Sequence, residues 1–336
     1  MSKNETQIIK GLAIFLMIFL HLFNNYDDTQ SLVNFISINN NPLVHILSRA
    51  ANPVSIFLIC GGYGLYSVYK WGNDKKHYKR IFRLYITYWL ILLIFVPVAH
   101  FLVGNNYLGT IKNIIYNITG LCTTWNPFAW FLLPYSLLSL SSKKLFFLMD
   151  KFKTKYVFIF LLFLSLSIGF IISRYGEAYL FKNPILYLPI LYLSLMFTFY
   201  IGVVFYKKNI LGVIKNYFSS VKYRQAIILF SLLILICARC IINTSALNDI
   251  YSFLLIVLFL NLYRPSFIDN FLMKLGNVSM EMWLVHSWYS YSIFKEDIYS
   301  LKYPLLLLIV MLAISYYSGV LIKYLSNLIL NKIYER

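Results

Sequence analysis

The chain has 336 residues, 60% of them hydrophobic and only 12% charged, a balance that excludes a soluble globule, whose surface needs far more charge. A net charge of +18 admits an anionic partner, but the basic residues stand in short clusters between apolar runs, which points to lipid headgroups and away from nucleic acid. The four cysteines, Cys60, Cys122, Cys237 and Cys240, fall in or beside apolar runs and read as small hydrophobes; the C-x-x-C at Cys237 and Cys240 has no second pair and no nearby histidine, so no metal site is expected.

Apolar runs of about 20 residues, the length that crosses a bilayer core, recur along the whole sequence. In chain order they predict ten spans, at 8–23, 43–69, 82–103, 125–140, 157–173, 185–206, 226–243, 247–263, 277–294 and 304–325. The first run is short enough for a signal peptide, but no small-residue cleavage site follows it, so it counts as a span. The fourth is short and holds Pro127 and Pro134; the eighth follows the seventh with almost no loop. Helices are expected throughout, because a backbone in lipid must satisfy its own hydrogen bonds and these runs lack the alternation of barrel strands. The expected fold is an all-α polytopic transmembrane helix bundle of about ten spans. It forms one membrane domain over residues 1–336 with no appended soluble domain and no internal repeat.

Lysine and arginine set the orientation, because cytoplasmic segments retain them. With the N-terminus inside, all 30 basic residues fall on the inner half except Arg49, Lys112, Arg174, Lys182, Arg239, Lys295 and Lys302, so both termini are expected in the cytoplasm.

Ionisable groups within spans are costly and mark candidate sites. Lys10 and His21 are eleven residues apart, about three helical turns plus 20°, so they share a face with roughly 16 Å between their levels. His21 near the outer end suits a general base at neutral pH, or is an interfacial histidine beside a snorkelling lysine. His45 and Arg49, at i and i+4, share a face with Asn52 and form either an acceptor-binding patch or a structural polar cluster. Arg239 in the seventh span either joins that patch or reaches the headgroups. The inner loop from Lys70 to Arg83 places Lys79, Arg80 and Arg83 together, and guanidinium forks suit phosphate, whether of a nucleotide, a lipid or no ligand at all. Glu281 and His286 are five residues apart, a poor same-face spacing, so they are not paired; His286 lines a cavity or is a satisfied core histidine. The loops holding Asn24, Asn25, Asp27 and Asp28, and Trp125 with Asn126, offer amides and an aromatic face to a sugar, or are ordinary interfacial residues.

Five segments then form a pattern. Ile9, Lys10, Gly11, Leu12, Ala13 and Ile14 run through to His21 as a basic-x10-His signature. Ser55 to Tyr63 is an apolar stretch ending Gly61, Gly62, Tyr63. Arg80, Ile81, Phe82, Arg83 is an R-x-x-R; Trp130, Phe131, Leu132 is a Trp-aromatic segment; and Leu275, Gly276, Asn277, Val278, Ser279 leads to Trp283, Leu284, Val285, His286. In this order they resemble the acyltransferase type 3 family of membrane O-acyltransferases, over nearly the whole chain. Lys10 stands where the family often has arginine, and Gly61 where serine is usual. The resemblance implies a roughly ten-helix bacterial plasma-membrane protein that moves an acyl group, acetyl foremost, from cytoplasmic acyl-CoA to a hydroxyl of a cell-surface or lipid-linked glycan. It makes His21 the base, Lys10 a partner within the pore, and Arg80 with Arg83 the anchors for coenzyme A phosphates. Acyl-CoA is then a co-substrate and no permanently bound cofactor is implied. His45, Arg49, Trp130, Arg239, Glu281 and His286 remain substrate or pore candidates. The rival reading is a flippase for a lipid-linked saccharide, which needs no CoA; a scaffold without a cavity fits the buried ionisable residues poorly.

Overall fold

Ser2 starts the first helix, α1 (Lys3–Phe23), with a capping box: its hydroxyl accepts from the Glu5 amide while the Glu5 carboxylate accepts from the Ser2 amide. The computed structural model describes residues 1–72, 75–104, 109–242 and 244–334; the side chains of 75–77 and 334 lie outside it, and with them Lys75, Lys76 and Arg336, three of the cations expected on the inner side. After α1 come α2 (Tyr26–Gln30), α3 (Leu43–Ser48), α4 (Pro53–Lys70), α5 (Lys75–Val103) and α6 (Ile111–Thr119). They are followed by α7 (Leu132–Asp150), α8 (Thr154–Tyr175), α9 (Pro184–Lys207), α10 (Ile210–Ser219) and α11 (Arg224–Ile241). The last five are α12 (Asn248–Asn261), α13 (Ser266–Asn277), α14 (Ser279–Ser287), α15 (Lys295–Tyr299) and α16 (Pro304–Tyr334). Two two-residue strands, Ser37–Ile38 and Asn41–Pro42, pair antiparallel around Asn39 and Asn40, both at positive φ as a tight hairpin turn demands.

The chain is an all-α, multi-pass membrane protein. Among the described residues, seven helical stretches are long and apolar enough to cross a bilayer: Lys3–Phe23, Leu43–Lys70, Tyr78–Val103, Thr154–Leu180, Pro184–Lys207, Arg224–Ile241 and Pro304–Ile333. The solvent is legible on α8, where Phe160, Phe163 and Phe170 are each about two-thirds exposed, an arrangement that only lipid tolerates.

The three other expected spans differ from their sequence reading. The segment predicted at 125–140 starts as a loop with a single 3-10 turn at Pro127–Ala129, and its helix, α7, begins at Leu132 and runs to Asp150. Pro134 explains the shift, since proline fits the first turn of a helix, where its missing N–H has no partner to lose. The segment at 247–263 becomes α12, whose 14 residues rise about 21 Å, short of a full bilayer core. The segment at 277–294 is divided: α13 ends at Asn277, Val278 leaves the helical region at φ −121° and ψ 17°, α14 follows, and a π-turn occupies Trp288–Ser292.

Two close helix crossings set the bundle, with α1 in the middle against α4, α13, α14 and α16. At the α1–α13 crossing, a Cβ on Gly11 would overlap the Leu272 carbonyl and one on Gly276 the Gln7 carbonyl. At the α4–α9 crossing, Gly62 lies against the Phe199 carbonyl and Gly202 against that of Ile59. Lipid gives no hydrophobic drive for helices to associate, so backbone-to-backbone packing through small residues is what joins them.

Candidate active site

The last carbonyls of a helix have no partner within it. In α1 three of them are satisfied from other elements: the Tyr291 hydroxyl donates to His21 O at 2.6 Å, the Tyr299 hydroxyl to Leu22 O at 2.9 Å, and His45 Nδ1–H to Phe23 O at 2.9 Å. The backbone that carries His21 is therefore clamped from three sides. His45, read from sequence as part of either an acceptor patch or a structural polar cluster, is one of these clamps.

On the His21 face of α1, Gln7, Lys10 and Met17 line a cavity of about 360 Å³, closed on other sides by Gly61 of α4, Arg80 and Arg83 of α5, Tyr135 of α7 and Lys323 of α16. The break between α13 and α14 turns Asn277, Ser279, Glu281 and Trp283 into the same space. Glu281 is only 2% exposed, whereas Arg80 lies open at the surface. Four cations, Lys10, Arg80, Arg83 and Lys323, thus surround a single carboxylate, and among the described residues none of Lys10, Arg80 and Arg83 is held in an ion pair. The excess positive charge suits a phosphorylated ligand. Gly61 also has a local reason: a Cβ there would come within 3.1 Å of the Tyr135 ring, so a serine would crowd the cavity wall.

A second cavity, of about 410 Å³, is lined by Trp125, Asn126, Pro127, Phe128, Ser287, Trp288 and Tyr291 among others; inner and outer name the two cavities after the orientation expected from the basic residues. The partition between the two is made of few groups. Met17, one turn before His21, lines the inner cavity, while Phe128, its ring 4.2 Å from that of His21, lines the outer one. Trp283, on the inner side, donates from Nε1 to Phe128 O at 2.9 Å. In this partition His21 Nδ1 lies 2.6 Å from Nε2 of His286, which is fully buried. The two imidazoles are nearly parallel, with centroids 4.9 Å apart.

An acyltransferase family, described as "Acyltransferase domain", matches residues 5–325. The chain belongs to it. The protein is accordingly a membrane acyltransferase, and no curated protein and no solved structure matches this acyltransferase closely enough to add a relative.

The acyltransferase brings together some of the candidates read from its sequence and leaves others apart. Lys10, Arg80, Arg83 and Glu281 share the inner cavity; His21 and His286 meet at the partition. Among the described lining residues of the two cavities are none of His21, His286, His45, Trp130, Arg49 and Arg239; His21 meets the outer lining through the Phe128 ring. Arg239 is bound to Ile242 O at 2.8 Å and Asn248 Oδ1 at 2.6 Å, and Asn52 to Asn248 O and Ser252 Oγ, both at 3.0 Å, which ties α4, α11 and α12 at their outer ends. Trp130 is 38% exposed, and its neighbour Phe131 is the ring that reaches the inner cavity. Asn126, 1% exposed, stands in the wall of the outer cavity and holds the loop to α14, donating to Leu284 O at 2.8 Å and accepting from Ser287 Oγ at 2.9 Å. Asp28 pairs with Lys295 at 3.0 Å, and Asn25 caps α2.

Sequence reasoning missed Gln7, Phe128, Tyr291 and, as a cavity cation, Lys323. Lys323 carried no signal beyond membrane orientation, since its site forms only when the last helix packs beside the first. Phe128 follows an Asn-Pro pair, where a turn was legible but its depth was not.

Proposed function

We propose that this acyltransferase moves an acyl group from acyl-CoA, bound from the cytoplasmic side, to a hydroxyl of a glycan presented from the outer side of a bacterial plasma membrane, with both termini in the cytoplasm. The observation that carries this reading is the position of His21 at the partition between a cationic inner cavity and an aromatic outer one. Arg80 and Arg83, with Lys323, hold the phosphates of coenzyme A at the inner mouth. The pantetheine arm runs past Lys10 toward Met17 and brings the thioester to the partition. The outer cavity offers Trp125, Phe128 and Tyr291 faces to the sugar, and aromatic faces suit the C–H side of a pyranose.

His21 is the general base of the reaction. As the sugar oxygen bonds to the thioester carbon, its proton passes to His21; the C–S bond then breaks and His21 returns the proton to the departing sulfur. The sugar leaves as the ester and coenzyme A as the free thiol. Acetyl is the acyl group proposed, with Met17, Phe131 and Trp283 giving the inner cavity an apolar wall.

The test is transfer of labelled acetyl from acetyl-CoA to cell-surface glycan in membranes with matched protein levels. His21→Ala is expected to lose on the order of 100-fold or more in rate, the usual contribution of a positioned base. The Arg80→Ala, Arg83→Ala pair is expected to raise the KM for acetyl-CoA, with a smaller effect on kcat. Absence of label with every acyl-CoA tried, alongside glycan export that depends on the protein, would replace this reading with the flippase.

A further inference from the structure

His286 occupies a position the proposed reaction does not yet use, and its hydrogen bonds fix the protons on both rings. His286 Nδ1 lies 2.7 Å from Trp283 O and 3.2 Å from Met282 O. A carbonyl oxygen only accepts, so the proton of neutral His286 is on Nδ1 and its Nε2 carries a lone pair. That Nε2 lies 2.6 Å from His21 Nδ1, and two lone pairs cannot face each other at this distance. His21 Nδ1 therefore carries hydrogen and donates it. By elimination, the lone pair of neutral His21 is on Nε2, the nitrogen turned away from His286.

We propose that His286 is a positioning residue for acyl transfer: by accepting from His21 Nδ1–H it holds His21 in the tautomer whose Nε2 is free to take the substrate proton. The inference rests on His21 acting as the base. An imidazole free in water favours the opposite tautomer, with hydrogen on Nε2, in which the reacting nitrogen has no lone pair to offer. His286 removes that competing form, and when His21 becomes an imidazolium the same Nδ1–H···Nε2 bond supports the new charge without a buried carboxylate. Two other polar groups stand beside the pair: the Ser290 hydroxyl, which donates to His286 O at 3.2 Å, and Tyr291, whose ring centroid is 6.3 Å from that of His21 and whose hydroxyl is committed to His21 O and to Asn24 Oδ1, 3.2 Å away. The Phe128 ring packs on His21, centroids 4.2 Å apart. Among the described contacts of His21 Nδ1, the His286 nitrogen is the acceptor that sets its tautomer.

Three variants separate this role from simple packing. His286→Leu keeps the bulk and removes the acceptor; His286→Gln places an amide oxygen near the level of Nε2; His286→Glu places a carboxylate there. Nitrogen NMR of isotopically labelled histidine in the purified full-length protein, with His21→Ala to assign the signal, reads the tautomer directly. The Nδ1–H form is expected in the wild type and in His286→Gln, and the Nε2–H form in His286→Leu. In acetyl transfer, kcat is expected to fall about 100-fold in His286→Leu with KM for acetyl-CoA little changed, and to recover to within about tenfold in His286→Gln, within the range a correctly poised base supplies. In His286→Glu the acid limb of the pH–rate profile moves to higher pH, because a neighbouring carboxylate favours the protonated imidazole and the base must be neutral to act. A wild-type His21 found as Nε2–H overturns the inference whatever the activity. So does a folded His286→Leu with wild-type kcat and pH profile, or a His286→Gln as slow as His286→Leu. The expected tautomers in a protein that transfers no acyl group would sustain the histidine pair and overturn the acyltransfer reading of the cavities instead.

Discussion

Asn126 illustrates how much one buried side chain does at the residue scale. Its amide joins the loop before α7 to the α14 backbone at Leu284 and to Ser287, and so sets the height of Phe128 over His21. Asn126→Ala leaves the Leu284 carbonyl and the Ser287 hydroxyl without this partner, and an unmet buried polar group costs about 1–3 kcal/mol. Thermal unfolding in detergent should register that loss, and acyl transfer should fall through kcat while the KM for acyl-CoA stays near its wild-type value, because the inner mouth at Arg80 is untouched. A raised donor KM with unchanged stability would count against this account. The Asn-Pro pair is compatible with a turn here, but the partners of Asn126 lie 158 and 161 residues downstream and no local pattern encodes them.

At the scale of elements, the glycine crossings make a sharp comparison possible within one helix. Gly62 of α4 has the Phe199 carbonyl where a Cβ would go, whereas Gly64, two residues on, has nothing within 4 Å. Gly62→Ala must push α4 from α9 and is expected to destabilise by about 1–3 kcal/mol, the range for overpacking. Gly64→Ala is expected to be neutral or to stabilise, since alanine is the better helix former by about 1 kcal/mol. Equal melting temperatures for the two variants would refute the close crossing. The inner ends of α4, α7 and α9 are joined by a different device, in which Asp150 takes Lys70 at 2.9 Å, Lys207, and the Tyr66 hydroxyl at 3.0 Å. Burial pushes the Asp150 carboxyl up, but hydrogen bonds from Lys207, Lys70 and Tyr66 outweigh it and hold the group below the usual carboxylate range. A depressed folded-state value means stabilisation that is complete above the unfolded value of about 3.9 and is lost as pH falls through the folded one. The melting-temperature gap between wild type and Asp150→Asn should therefore be flat from neutral pH to about pH 5 and close only below about pH 4.

For the whole molecule, the proposed mechanism requires sidedness, with coenzyme A arriving at Arg80 and sugar at Trp125. Phe35, 81% exposed in the outer hairpin region, and Tyr217, 69% exposed on α10, are suited to report it. In intact cells a membrane-impermeant thiol reagent should label Phe35→Cys and should reach Tyr217→Cys only after the membrane is opened. The reverse pattern would invert the donor and acceptor sides. The single break between α13 and α14 matters at this scale too. It places Glu281 and Trp283 in the inner cavity and His286 against His21, so in the proposed mechanism one interrupted helix serves both halves of the pathway.

The sequence by itself determined the solvent, the helical class and the order of the helices, because length and apolarity in lipid leave the backbone no other way to satisfy its hydrogen bonds. It also gave the shared face of Lys10 and His21, since helical periodicity is local, and the family, through motifs that survive as short strings. Where helices break was not legible: the segment holding Pro134, expected as a span at 125–140, becomes α7 from Leu132, and the expected span 277–294 is broken at Val278, beside the close α13–α1 packing at Gly276 and Gly11. The tertiary structure alone decided that Lys323 joins the arginines, that His45 clamps α1, and that His286 meets His21 across 265 residues of chain. Such pairings depend on which helix faces lie together, a property of packing that no single helix carries in its own sequence.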